Sequence, residues 1–204
     1  MYRNFFKRKL DLIVASMGLV IVSPVLLIVI FILTISNKGK VFFSQERPGL
    51  NEKIFRVIKF RSMNDKRDDQ GNLLPDWARL TPVGKFIRAA SIDEIPQLIN
   101  VLKGEMSLIG PRPLLQRYLS VYTEREKQRH TVRPGITGLA QISGRNALDW
   151  DARLEMDVCY TEDITFTGDI KILWNTIINV IKRKGVIADK QENYLDNKRK
   201  NQKK

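Results

Sequence analysis

Sulfur and imidazole chemistry are nearly absent from this chain. A single cysteine, Cys159, excludes an internal disulfide and suits a reducing compartment. A single histidine, His130, excludes zinc sites built from several Cys and His ligands. Any Ser-His-acid triad would have only His130 to draw on, and that residue reads most simply as a surface one. Charge is missing too, over one long stretch: the 24 positions from Leu12 to Ile35 carry none. Zinc-finger, RNP-type aromatic and basic-zipper patterns are also lacking, so nucleic acid is not an expected partner.

What the chain has in excess is positive charge. Thirty-five basic against 22 acidic residues give a net charge of +13. Such a surplus attracts anions, here acidic lipid head groups or a phosphorylated substrate. Its placement favours a membrane surface. Arg3, Lys7, Arg8 and Lys9 precede the apolar run, Lys38 and Lys40 follow it, and nine basic residues lie from Lys182 onward. That basic end reads equally as a solvated tail or as a lipid contact.

Seventeen of the 24 apolar positions are Leu, Ile, Val or Phe, so insertion into lipid is favourable by several kcal/mol. The run is too long for the apolar core of a signal peptide and no small-residue cleavage site follows. Three features predict that it turns back rather than crosses. Both flanks are basic, which suits two ends on the cytoplasmic side. Ser23-Pro24 divides the run into two arms of eleven residues, roughly 16 Å each against a hydrocarbon core of about 30 Å. Pro24 also deprives the Val20 carbonyl of its helical donor, while Ser23 can bond back one turn.

Beyond residue 38 one domain is expected. Val41–Gln45 and Ile54–Phe60 read as strands of a hairpin around Arg47-Pro48-Gly49 to Glu52. Residues 64–79 read as a surface loop, 91–104 as a helix stopped by Gly104, 114–130 as a charged surface helix, and 133–146 as a glycine-rich loop. In 169–183 the residues Ile170, Leu173, Trp174, Ile177, Ile178 and Ile181 share one face, which would pack on the domain or lie in the membrane interface. The expected fold is α+β: a mainly helical cytoplasmic domain with a short β-hairpin, anchored by an N-terminal re-entrant helix-break-helix and interfacial amphipathic helices. The expected divisions are a membrane helix at 1–38, a catalytic domain at the membrane interface at 39–185, and a basic tail at 186–204.

Candidate chemistry gathers around Asp93 and Glu94, in the first turn of the 91–104 helix. Ser91, three residues before Glu94, has the spacing of a capping box, so a merely well-capped helix is one reading. The other is catalytic. Lys59, Arg61, Lys85 and Arg88 supply cations nearby, and two carboxylates at a positive helix end should both stay ionised at neutral pH. One could be a nucleophile towards phosphorus while the other holds a divalent metal against a diphosphate. Arg112, fixed between Pro111 and Pro113, is either an exposed turn residue or a pre-set fork for a phosphate. Arg133 and Arg145 lie in the glycine-rich segment, where backbone can approach a ligand closely.

Four ordered segments carry a resemblance: FSQERPGLNEKIF, VIKFRSM, IDEIPQLINVLKGEMSLIGPRP and RPGITGLAQISGRN. Together they resemble the bacterial sugar transferase family, the small monotopic phosphoglycosyl transferases, over residues 1 to about 185. The resemblance implies a membrane break at Ser23-Pro24, Asp93 as nucleophile, and the Asp93-Glu94 dyad, Glu94 foremost, as a magnesium site. It implies a UDP-sugar donor, undecaprenyl phosphate as acceptor, a covalent phosphosugar intermediate, and residence among membrane lipid on the cytoplasmic face of the bacterial inner membrane. Lys59, Arg88, Arg112, Arg133 and Arg145 would bind phosphate. Ala89-Ala90 stand where members often carry another basic residue, which puts more weight on Arg88. The opening MYRNFFKRKLDL and the overall size are most similar to members that start general N-linked protein glycosylation by moving a diacetylbacillosamine phosphate. Two other classes fit the composition. A single-pass membrane scaffold with an anion-binding domain would need no metal and would tolerate alanine at Asp93. A transferase moving sugar without phosphate would release UDP instead of UMP.

Overall fold

The computed structural model describes residues 2–144, 148–182 and 194–202. Its framework is a hairpin of β1 (Phe42–Pro48) and β2 (Ile54–Phe60), antiparallel, with Phe42 opposite Phe60 and Pro48 opposite Ile54. β2 has the expected bounds. β1 starts one residue later and continues through Arg47 and Pro48, so the turn begins at Gly49. The alternate side chains Phe55 and Val57 point inward, as a half-buried strand requires, and join Val101, Met106 and Ala15 in one core cluster.

The expected helix over 91–104 is two pieces. α2 (Asp76–Arg79) leads into α3 (Pro82–Ala89), whose N-cap Thr81 accepts from the Gly84 N–H and whose first residue is Pro82. Ser91 then takes a left-handed conformation, φ 56°, and makes no side-chain capping bond. It closes α3 rather than opening the next helix, so the capping-box reading of Ser91 and Glu94 is corrected. A 3-10 turn covers Ile92–Glu94. Pro96 has no N–H to bond back to Ile92, and the α-helix resumes as α4 (Gln97–Lys103), ended by Gly104 at φ 84° as expected.

Beyond α4 lies β3 (Ser107–Ile109), which pairs in parallel with β4 (Gly135–Thr137), a ladder that the glycine-rich reading of 133–146 missed. The approach is close: a Cβ on Gly135 would sit 2.1 Å from the Gly110 nitrogen. Between the two strands, 114–130 is not one surface helix. It is a 3-10 turn at Gln116–Val121, α5 (Glu124–Lys127) and a second 3-10 turn at Gln128–Thr131, and it buries Tyr118, Arg129 and His130. His130, 6% exposed, is therefore a buried residue. α6 (Leu139–Ser143), α7 (Trp150–Glu162) and α8 (Phe166–Ile181) complete the body, and α9 (Leu195–Gln202) packs fully buried Leu195 beside Tyr118 and Leu154. Tyr194 and Leu195 are thus docked on the domain, and the basic stretch from 183 to 193 lies outside the described residues.

α1 (Lys7–Ser36) is one continuous helix of 30 residues. The helix runs through Ser23-Pro24, where the sequence predicts a break, and no residue inside α1 leaves the helical conformation. The reason is local. Pro24 removes the donor that the Val20 carbonyl would receive, and the Ser23 hydroxyl donates to that same oxygen at 2.8 Å. One stripe of α1 faces the domain along its length, from Asp11 and Ala15 through half-buried Val22 and Leu26 to Val29 and Leu33. Near its start, Arg8 donates to the Val101 carbonyl at 2.7 Å and Asp11 accepts from the Ser107 hydroxyl at 2.7 Å. Just past its end, Asn37 donates to the Arg61 carbonyl at 3.0 Å. Both ends are tied to the same domain. The other side of α1 exposes Val20, Ile21, Leu27, Ile28, Phe31 and Ile35. α8 behaves similarly: it docks through Ile172, while Ile170, Trp174, Ile177 and Ile181 stay exposed, Trp174 at 64%. A buried carboxylate joins the two helices, since Asp169 accepts from Tyr2 at 2.7 Å, Lys7 at 2.6 Å and Tyr160 at 2.8 Å.

Candidate active site

The 3-10 turn presents Asp93 and Glu94 in different surroundings. Glu94 Oε1 accepts from Lys59 Nζ and from Arg112 Nη2, both at 2.7 Å. The end of β2, the turn before α4 and the Pro-Arg-Pro segment therefore meet at one oxygen atom. Burial works against the charge on Glu94, but Arg112 and Lys59 outweigh it and hold the carboxyl far below its ordinary range. Glu94 in turn raises Arg112. Lys59 moves down, because burial outweighs the help it gets from Glu94.

Asp93 is the contrast. It is 8% exposed and makes no hydrogen bond or ion pair among the described residues. Burial raises its pKa first, the neighbouring Glu94 raises it further, and the charges of Lys59, Arg88 and Arg112 offset only part. The two carboxylates are split in their surroundings, with Glu94 held charged by its two cations and Asp93 pushed up by burial. An uncommitted carboxylate with a raised pKa, surrounded by cations, is suited to nucleophilic attack on an anionic phosphorus centre.

The cations divide as well. Arg88 lies in the last turn of α3, and its Nε donates to the Ser62 hydroxyl at 2.8 Å. That contact depends on Gly84, whose added Cβ would fall 1.8 Å from the Ser62 carbonyl oxygen. Arg133 is not brought to the dyad. Its Nε donates to the Gly104 carbonyl at 2.8 Å, at the opposite end of α4. Arg145 lies outside the described residues.

Sequence reasoning missed Arg47, Arg129 and Asp157. Arg47 lies in β1, donates to the Gln45 side chain at 2.7 Å, and is lowered to about 10 by burial and then by the charge of Arg112. Arg129 is buried against Asp157 and the main chain of Arg112. A charged pair 28 positions apart has no local signature. His130, beside Arg129, is lowered to about 4 by burial and then by Arg129, so it is neutral at pH 7.

Among the described residues no group of three or more His, Cys, Asp or Glu side chains forms a metal cage. The dyad still fits magnesium. That ion commonly takes one or two carboxylates and leaves its other positions to water and substrate phosphates. Asp93 and the second oxygen of Glu94 have no protein partner among the described residues and supply such a pair.

The family model described as bacterial sugar transferase matches residues 2–183. The sugar transferase EpsL of Bacillus subtilis, named as uncharacterized, is 51% identical over 180 residues, covering 88% of this chain and 89% of that one. The undecaprenyl-phosphate galactose phosphotransferase of Salmonella typhimurium is 37% identical over 89% of this chain. The UDP-glucose:undecaprenyl-phosphate glucose-1-phosphate transferase of Klebsiella pneumoniae is 40% identical over 84% of it. This chain spans 42% and 39% of those two longer proteins. The chain belongs to the bacterial sugar transferase family, and by that membership it is a phosphoglycosyl transferase.

Proposed function

We propose that this enzyme transfers a sugar-1-phosphate from a UDP-sugar to undecaprenyl phosphate in two steps. An Asp93 oxygen attacks the β-phosphorus of the donor. The bond from that phosphorus to the bridging oxygen breaks, its electron pair leaves with UMP, and a phosphosugar remains on Asp93. A phosphate oxygen of undecaprenyl phosphate then attacks the same phosphorus and frees Asp93. The observation that carries the reading is the split dyad: Asp93 unpartnered beside a Glu94 held by Lys59 and Arg112. Arg88 and Arg112 would face the donor phosphates. Asp93 and Glu94 would hold magnesium, which would neutralise diphosphate charge.

The sugar is proposed to be N,N′-diacetylbacillosamine, on the strength of the resemblance of the segment MYRNFFKRKLDL. Two of the named relatives carry galactose and glucose in their names, so all three UDP-sugars belong in the test. The enzyme is read as monotopic on the cytoplasmic face of a bacterial inner membrane, with the exposed faces of α1 and α8 in lipid. Support comes from the two ends of α1 being bound to one domain and from the basic flanks.

The test uses donor and magnesium without lipid acceptor. UMP should appear at about one equivalent per active site, and quenched enzyme should carry the phosphosugar mass on the peptide containing Asp93. Release of UDP would mean sugar transfer without phosphate. UMP that appears only after undecaprenyl phosphate is added, with no adduct, would falsify the covalent route.

A further inference from the structure

The Pro-Arg-Pro segment offers little of its own backbone for anchoring. Pro111 and Pro113 have no N–H, so the segment is held through its carbonyl oxygens. The Pro111 carbonyl accepts from the Gly135 N–H at 2.9 Å. The Arg112 carbonyl accepts from Arg129 Nη2 at 2.6 Å. Arg129 is itself 2% exposed. Its Nη2 and Nε donate to Asp157 Oδ2 at 2.6 and 3.2 Å, and its Nη1 to the Tyr122 hydroxyl at 3.1 Å. The second oxygen of Asp157 is buried and accepts no hydrogen bond among the described residues, so the hydrogen bonding seen for this carboxylate is spent on Arg129. One guanidinium thus links α7, the segment before α5 and the main chain of Arg112, whose own side chain reaches Glu94.

We propose that Arg129, braced by Asp157 and Tyr122, is a positioning residue that aims the Arg112 guanidinium at Glu94 and at the donor phosphates. It touches no substrate and acts through the Arg112 carbonyl. A burial role alone would be met by an apolar side chain of similar volume, and often with greater stability. What an apolar residue cannot supply is a planar donor set that satisfies a carboxylate and a main-chain carbonyl together. The activity consequence rests on the transfer reading above; the placement of Arg112 does not.

The test is Arg129→Lys, which keeps the charge and loses the fork. One arm needs no substrate. The nitrogen-15 relaxation of the Arg112 Nε–H, assigned by its disappearance in Arg112→Lys, is followed in the detergent-solubilised protein. Arg129→Lys should lower its order parameter from the rigid range to below about 0.6 while the backbone signals of α4 and β2 keep theirs. The other arm is the rate of UMP release in a double-mutant cycle. Arg129→Lys should slow release by about tenfold to a hundredfold in the wild-type background. It should slow it no further in Arg112→Ala. If Arg129→Lys does not fold, Tyr122→Phe, which removes one brace, carries both arms. An Arg112 that stays ordered, or losses that simply multiply across the cycle, would overturn the proposal. A wild-type enzyme that releases no UMP from any of the three donors would sink the transfer reading, and the relaxation arm alone would then decide the role of Arg129.

Discussion

A carboxyl group that burial discourages from ionising has two measurable signatures, and Asp93 should show both. The first is kinetic. Attack needs the ionised form, so the acid limb of single-turnover UMP release should lie above the ordinary aspartate value of about 3.9. The second is thermodynamic. Because the folded-state pKa is raised, the folded protein binds this proton more tightly than the unfolded chain. Stability therefore falls as pH rises from the ordinary value to the raised one, and the penalty is complete above it. Asp93→Asn removes the penalty, so thermal melting at pH 7 should move up while UMP release falls by orders of magnitude; a lowered melting temperature would contradict the assignment. Glu94 has the opposite sign. Its depressed pKa contributes stability above the ordinary glutamate range that is lost as pH falls through the depressed value. Glu94→Gln also strips Lys59 and Arg112 of their shared acceptor. We expect a loss of about 1–3 kcal/mol in denaturant melts and a raised magnesium requirement in the UMP assay. Much of this was legible from residue types: two adjacent acids among cations, one arginine between two prolines. Arg133 was not, because a basic residue in a glycine-rich segment looks the same whether it faces phosphate or a helix C-terminus.

Among the elements, the turn at Ser91 and the middle of α1 show where periodicity stops being informative. An i, i+3, i+4 apolar pattern spans 95–102, yet the chain upstream of it turns through a left-handed residue that carries a side chain. Glycine takes that conformation without penalty and a β-branched residue does not. Ser91→Gly should keep or raise the melting temperature, whereas Ser91→Val should lower it and slow UMP release by displacing the dyad. In α1 the proline was visible and its consequence was not, because the hydroxyl of the preceding residue replaces the lost donor. Ser23→Ala should leave the Val20 carbonyl unsatisfied, and Pro24→Ala should restore an ordinary ladder. If the pair sets the shape of α1 in lipid, Pro24→Ala should expose an N-terminal cysteine (in a Cys159→Ser background) to an impermeant reagent outside intact cells. The parent should stay unlabelled. Equal labelling of the two would show that the pair has no say in topology.

At the scale of the molecule, the exposed apolar faces of α1 and α8 and the basic flanks are the surfaces proposed to meet lipid. Binding to vesicles should rise with the anionic lipid fraction and weaken with salt, and Trp174→Glu should reduce it without altering the melting of the domain. Asp169, gripped by Tyr2, Lys7 and Tyr160, has a consequence for synthesis. The two ends of that contact are 167 positions apart in sequence. At roughly 5–20 residues per second the ribosome delivers the second end some 8–33 s after the first. For that interval the start of α1 can lie only against the elements made before α8. Arg8 and Asp11 can therefore fasten α1 first, onto the carbonyl of Val101 and the hydroxyl of Ser107, and the grip of Asp169 on Tyr2 and Lys7 closes last.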